Sequence, residues 1–239
     1  MTKPLDDRLA LVTGATRGLG RAIAERLLND GARVIGTGSK PEGTAPAGCD
    51  YRAVDFTDAG ATQAFADEAA GLGIEILVNN AGTTKLSDFT EIAPDDFTRI
   101  QQVNVTAPFM LSRAVVPGMK ERGWGRIVQI ASIFGIVSRQ GRASYSTSKA
   151  ALDGMTAALS SEVAQFGILA NCVSPGFINT DMTRKSLGQA GMAELAAQVP
   201  ARRLGTPQEI AALVAWLAGP ENTYISGQNI AIDGGFTRV

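Results

Sequence analysis

Tyr145 and Lys149 stand four residues apart in the segment Tyr145-Ser146-Thr147-Ser148-Lys149, and Ser132 lies thirteen residues upstream. On a helix, positions i and i+4 share one face, one turn apart. An ammonium held there favours phenolate over phenol, which would draw the tyrosine pKa down from its usual ~10. A tyrosine so tuned can give a proton to a carbonyl oxygen or take one from an alcohol. Ser132 follows the apolar run Arg126–Ala131, which reads as a buried strand. Its hydroxyl is therefore expected at a strand's carboxyl edge, where open α/β sheets place ligands.

The chain must supply this chemistry without histidine, since its 239 residues contain none. His-based triads and His-bearing zinc sites are thereby excluded, and no metal site is expected. Hydrophobic residues make up 45% and charged residues 19%, a globular composition long enough for one sizeable domain over 1–239. A formal net charge of −1 offers no electrostatic case for nucleic acid. No stretch approaches the ~20 apolar residues of a membrane span. The polar start, Met1 to Arg8, has no secretory apolar core, and Cys49 and Cys172 are the only thiols; a reducing cytoplasm is expected.

The elements that would position these residues read in order. Leu9–Thr13 is a strand, followed at once by Gly14-Ala15-Thr16-Arg17-Gly18-Leu19-Gly20 and a helix ending near Gly31. Glycines between strand and helix let backbone N–H groups and a helix N-terminus approach a pyrophosphate. Ala32–Thr37 is the second strand, and Gly38-Ser39-Lys40 after it holds no acid. A carboxylate there would repel a 2′-phosphate, whereas Ser39, Lys40 and Arg17 suit one, so NADP(H) is favoured, with NAD(H) as the other option. Tyr51–Asp55 is a third strand whose Asp55 would meet the adenine, and Thr57 or Asp58 caps the next helix. Glu75–Val78, closing in Asn79-Asn80-Ala81-Gly82, is the fourth, with Ala81-Gly82 leaving room for a ribose. A long helix is expected over Asp95 to about Glu121; in it Pro108 cannot donate to the carbonyl of Asn104, freeing that oxygen for water.

Phe134–Ser144 reads as loop and Tyr145 to about Phe166 as a helix, dense in small residues that suit a subunit interface. Ile168–Ser174 and Gln228–Ile232 complete the strands; the weakly patterned segment Asp181–Pro200, directly after a ligand-edge strand, is a lid candidate within about 179–200. Strands alternate with helices throughout, which predicts a doubly wound parallel sheet of about seven strands, Rossmann-type, with helices on both faces.

Taken together, the chain resembles the short-chain dehydrogenase/reductases, and among them the bacterial 3-oxoacyl-acyl-carrier-protein reductases. The residues that carry the likeness are Thr13-Gly14 through Gly20, Asn79-Asn80-Ala81-Gly82, Asn104, Ser132, Tyr145, Lys149, Pro175-Gly176 and the run Val199–Gly205. The resemblance implies that Tyr145 is the proton donor or acceptor, that Lys149 holds the nicotinamide ribose and tunes Tyr145, and that Ser132 orients the substrate oxygen. It implies that Asn104 positions a water linking Lys149 to solvent, and that Ile178 and Thr180 meet the carboxamide. The expected cofactor residues are then Gly14, Thr16, Arg17, Gly18, Leu19, Gly20, Ser39, Lys40, Asp55, Phe56, Asn80, Ala81, Gly82, Tyr145, Lys149, Pro175, Gly176, Ile178 and Thr180.

Phe134, Arg139, Arg142, Phe177 and Met182 are the expected substrate residues; Arg139 and Arg142 can fork onto a carboxylate, phosphate or sulfonate. The implied activity is NADP(H)-dependent reduction of a 3-oxoacyl thioester on coenzyme A or an acyl carrier protein, by a homotetramer. Carrier-dependent members set basic residues beside the active-site mouth at positions matching Gly123 and Phe166, with Lys120, Arg122 and Arg126 as stand-ins for an acidic partner. Two rival readings are a dehydrogenase of a small polar or anionic alcohol, such as a sugar acid or polyol, and a non-catalytic dinucleotide sensor.

Overall fold

Strands that are buried along their whole length must be covered on both faces, and Ile76–Asn79, Gly125–Ile130 and Ile168–Pro175 at the heart of a seven-stranded sheet are of this kind. The structure, a computed structural model, describes residues 3–239; the side chains of Met182 and Ser186 lie outside the described part. The first half alternates β1 (Leu9–Val12), α1 (Gly18–Asn29), β2 (Arg33–Gly38), β3 (Cys49–Ala53), α2 (Ala59–Gly71) and β4 (Ile76–Asn79). The second half contains α3 (Pro94–Gln101), α4 (Ala107–Arg122), β5 (Gly125–Ile130), α5 (Ala143–Val163), β6 (Ile168–Pro175), α6 (Asp181–Ala197), α7 (Pro207–Ala218) and β7 (Asn229–Ile232). All strands are parallel in the order β3-β2-β1-β4-β5-β6-β7. The direction of winding reverses between β1 and β4, and the crevice beyond their carboxyl ends is where such sheets bind ligands.

Alternation along the strands feeds two cores. Val12, Val78 and Val128 face Ile23 and Leu27 of α1 and Ile210 and Val214 of α7. Leu11, Leu77 and Ile127 face the opposite layer, with Phe65, Leu111, Val115 and Val163. Leu11 is fully buried, and its truncation to Ala would cost about 2–5 kcal/mol.

Local departures from the sequence reading matter for the site. The expected continuous helix from Asp95 is split: Gln102–Thr106 forms a π turn between α3 and α4. Pro108, the second residue of α4, brings no N–H to the ladder, so the wider turn accommodates it at little cost. Helix α5 begins at Ala143, two residues ahead of Tyr145. The segment after β6 is also helical, capped by the Thr180 hydroxyl on Thr183 N and interrupted at Gly188 (φ 61°, ψ −176°), a conformation open essentially to glycine.

Candidate active site

The glycine loop closes on itself at one crowded point. A Cβ on Gly20 would stand 2.2 Å from the carbonyl oxygen of Gly14 and 2.4 Å from Asn80 Nδ2, so only a bare backbone fits. Gly14 and Gly18 have φ of +67° and +56°, and α1 starts with Arg17 at its N-cap making no side-chain cap bond. The first N–H groups of α1 are thus left for an anionic ligand, the arrangement a pyrophosphate needs. Thr13 and Asn80 fasten the loop to β4: Thr13 Oγ1 accepts from the amides of Asn80 and Ala81, both at 2.9 Å, and Asn80 Nδ2 donates to the carbonyls of Thr13 (2.9 Å) and Gly14 (3.2 Å). Asn80 therefore shapes the cradle through backbone contacts. These residues fit a dinucleotide.

At the adenine end, no carboxylate terminates β2, and Arg17, Ser39 and Lys40 are exposed. Asp55 lies two residues past β3 with its Oδ1 accepting from Thr57 N (2.9 Å) and Oγ1 (2.8 Å), while the Phe56 ring packs in the core against Phe65. Only the Phe56 main chain is left to face a ligand. Gly176 donates to Ile232 O at 3.0 Å and would carry a Cβ 2.7 Å from Asp233 Cα, so Pro175-Gly176 is pressed against the end of β7. Ile178 is buried and bridges Gly205.

Ser132, Tyr145, Lys149 and Asn104 converge at the carboxyl edge of β4 and β5. Ser132 Oγ accepts from Phe134 N at 3.1 Å, and the serine is near enough to Tyr145 to counter the burial of its phenol. Asn104 is completely buried: Oδ1 accepts from Thr83 N (2.8 Å), and Nδ2 donates to Thr83 O (2.9 Å) and Ser148 Oγ (2.9 Å). Both Asn104 Oδ1 and Lys149 Nζ lie within 3.6 Å of where a Gly82 side chain would begin. Ser148 and Thr83 escape sequence reasoning, because only the π turn aims Asn104 at them. Phe236 escapes it too, as a tail residue brought in purely by tertiary folding.

Lys149 Nζ donates to Ile130 O at 2.7 Å and stands 5.6 Å from the centre of the Tyr145 ring. The phenol is held up rather than drawn down as expected: burial raises the Tyr145 pKa, and Ser132 and the Arg142 charge oppose it. Lys149 itself is held down to about 8, chiefly by burial.

At the mouth, Phe134, Phe177 and Phe236 form an edge-to-face chain with ring centres 6.1 and 4.9 Å apart. Arg142 lies over Phe134 at 4.6 Å, and Arg139 over Phe177 and Phe236 at 5.3 and 5.6 Å. Arg139 also donates to Gln198, just past α6. Met182 belongs to α6, its side chain outside the described part. The basic stand-ins do not flank this mouth. Lys120, Arg122 and Arg126 stand near the start of β5, ~20 Å from Ser132 along the strand. Arg126 is buried, donating to the carbonyls of Gly125, Gly167 and Asn222 and stacked on Trp124 at 4.5 Å. Lys120 lies over Phe166 at 4.6 Å, and Gly123 closes α4 with φ 66°.

A family model described as enoyl-(acyl carrier protein) reductase matches residues 14–237. The 3-oxoacyl-acyl-carrier-protein reductase FabG of Vibrio cholerae is 42% identical over 97% of this chain and 98% of its own. The acetoacetyl-CoA reductase of Cupriavidus necator is 38% identical over 97% and 98%. Among solved structures, a gluconate 5-dehydrogenase from Burkholderia cenocepacia in complex with NADP and tartrate superposes with a TM-score of 0.90 at 31% identity, covering 98% of this chain and 97% of that one. With the parallel sheet, the glycine cradle and the Ser132–Tyr145–Lys149 constellation, these likenesses make the chain an NAD(P)-dependent oxidoreductase of the short-chain dehydrogenase/reductase family.

Proposed function

We propose that the enzyme interconverts a 3-oxoacyl thioester and its 3-hydroxy form, with NADP(H) as its cofactor. The observation that carries this reading is the placement of Ser132 and Tyr145 on one polar spot, with the aromatic wall of Phe134 and Phe177 beside it. The relatives named as 3-oxoacyl and acetoacetyl-CoA reductases support the substrate class. When bound, the nicotinamide supplies the hydride. The protein's part is the proton: Ser132 hydrogen-bonds the carbonyl oxygen, and Tyr145 gives up its phenolic proton as that oxygen gains charge. Lys149, behind Tyr145, is the buried amine from which positive charge reaches the cofactor ribose. The missing acid after β2 and the exposed Arg17, Ser39 and Lys40 support the phosphorylated dinucleotide.

A second reading, oxidation of a small anionic alcohol such as a sugar acid, is supported by Arg142, whose guanidinium has no carboxylate within salt-bridge reach among the described residues. The gluconate 5-dehydrogenase likeness agrees with it. The test is oxidation of NADPH and, separately, NADH with acetoacetyl-CoA at neutral pH. Turnover with NADPH well above NADH supports the first reading. Silence with both, alongside turnover of gluconate or a polyol with NADP+, replaces it with the second. Loss of turnover in Tyr145→Phe with NADPH binding retained supports the assigned proton donor; a sensor without catalysis would show no turnover to lose.

The same reading places the enzyme in the cytoplasm as a homotetramer. No helix among the described residues is long and apolar enough to cross a membrane. Ala150, Gly154, Ala157, Ala158 and Ser161 form an exposed small-residue face on α5, which lets a second copy approach closely; analytical ultracentrifugation would weigh the assembly. Helix α6, hinged at Gly188, is the lid in this scheme. Coenzyme A thioesters are the first substrates to try, and carrier-protein thioesters the comparison.

A further inference from the structure

An aromatic track starts at Ser132 and ends under a cation. Phe134, whose amide donates to Ser132 Oγ at 3.1 Å, is buried; Phe177 lies 6.1 Å from it and Phe236 4.9 Å further on, both half-buried. Exposure grows along the series, so the track runs outward from the serine. The fold of the tail fixes its last ring. Asp233 accepts from Gly235 N (2.9 Å) and Thr237 N (2.8 Å), and Gly234 O accepts from Ala201 N (3.1 Å). The exposed Arg139 covers this outer end, its guanidinium 5.3 Å from the centre of Phe177 and 5.6 Å from that of Phe236. It also donates to Gln198 Oε1, just past α6, and makes no salt bridge among the described residues. Arg139 thereby joins the loop before α5, the loop after β6, the end of α6 and the tail.

We infer that Arg139 ends the apolar track and so sets the acyl site to short chains, with Phe236 as the prop that holds it there. The inference rests on the 3-oxoacyl thioester reading, in which the substrate carbonyl sits on Ser132. An alkyl chain leaving that carbonyl gains by lying on Phe134 and Phe177, each buried methylene adding about fourfold in affinity. Beyond Phe177 the next methylenes meet the guanidinium. To go on, they must push it off both rings, break its bond to Gln198 and strip water from a charge that no carboxylate neutralises. That cost offsets the gain, so further methylenes add nothing. Arg142, over Phe134 at 4.6 Å, stands at the inner end of the track and is met by substrates of every length.

The experiment measures binding of butyryl-CoA and decanoyl-CoA, which lack the 3-keto group and do not react, to the NADP+-loaded protein by calorimetry. Wild type is expected to bind the two within a few-fold of each other. Arg139→Leu should bind decanoyl-CoA about tenfold or more tighter than butyryl-CoA. Phe236→Ala, which removes one of the faces the guanidinium leans on, should shift the ratio the same way, and Arg139→Lys, which keeps the charge, should shift it less. The kcat/KM ratio of 3-oxodecanoyl-CoA to acetoacetyl-CoA should move in parallel. An equal binding ratio in wild type and Arg139→Leu overturns the inference, as does a wild type that already prefers the long chain or binds neither ligand. An unchanged ratio together with a KM rise for gluconate would assign Arg139 to anion binding instead. The binding ratio needs no turnover, so failure of the thioester reading, seen as wild type that does not reduce acetoacetyl-CoA, is read separately.

Discussion

Lys149 donates from Nζ to the carbonyl oxygen of Ile130 at 2.7 Å, at the end of the strand that leads into Ser132. The amine is buried, and burial lowers its pKa from 10.5 to about 8. A base whose pKa is depressed by folding adds most stability above its unfolded value, and loses that as pH falls through the folded one. The native state therefore gains stability between about pH 8 and 10.5 from this group. Lys149→Met lacks that gain. The Tm difference, variant minus wild type, should be most favourable to the variant near pH 7 and decline steadily above pH 8, while turnover falls by about a hundredfold or more. A difference that stays flat up to pH 10 would contradict the assigned burial of the ammonium.

Asn104 ties the π turn to Thr83 and Ser148 with all of its side-chain groups. Truncation to Ala leaves buried donors and acceptors unmatched, each worth about 1–3 kcal/mol. Asn104→Ala should unfold several degrees below wild type and lose kcat, since Gly82-Thr83 below the Lys149 ammonium loses its tether. An unchanged Tm would mean that the Thr83 segment is held by something else.

Gly18 and Gly20 belong to the same loop and predict opposite outcomes. An added Cβ at Gly18 meets nothing within 4 Å, whereas one at Gly20 collides with the Gly14 carbonyl at 2.2 Å. Gly18→Ala should cost roughly 1 kcal/mol through its left-handed backbone and keep NADPH binding within a few-fold. Gly20→Ala must displace either the loop or the start of α1, and NADPH affinity measured by fluorescence should drop by about tenfold or more. Equal affinities in the two variants would remove the cradle argument.

Local pattern carried the strands, the glycine loop and the Tyr145–Lys149 pair, because apolar runs, positive-φ glycines and a one-turn spacing are set by neighbours in sequence. What the pattern could not carry was decided by tertiary contact. The π turn at Gln102–Thr106 and its aim at Ser148 depend on how α3 and α4 meet α5. The direction of the Lys149 ammonium depends on a carbonyl nineteen residues away, and the place of Phe236 on a tail folded back over Phe177. Arg126 read as a surface charge at the carrier-protein patch, yet the Trp124 ring and three backbone carbonyls enclose it.

The loop that carries Phe177 is anchored to the first turn of α7, which makes its position sensitive to acid. Gly205 donates to Phe177 O at 2.9 Å and accepts from Asn179 N at 2.8 Å. One residue on, Thr206 and Glu209 form a capping box: Thr206 Oγ1 accepts from Glu209 N (3.2 Å) and Glu209 Oε2 from Thr206 N (2.8 Å). Arg203 grips both carboxylate oxygens at 3.0 and 2.6 Å, and this ion pair, with the Thr206 amide, pulls the Glu209 pKa from 4.5 down to about 2. An acid lowered by folding adds stability above its unfolded value and loses it as pH falls through the folded one. The effect is modest because the Glu209 side chain is 39% exposed and solvent screens the pair. Glu209→Gln should melt below wild type by a constant margin above about pH 5, and the two should converge as the pH is lowered from 4.5 toward 2. A margin that persists unchanged at the acid end would show that the carboxylate charge contributes nothing to the cap, and that packing alone holds the Phe177 loop.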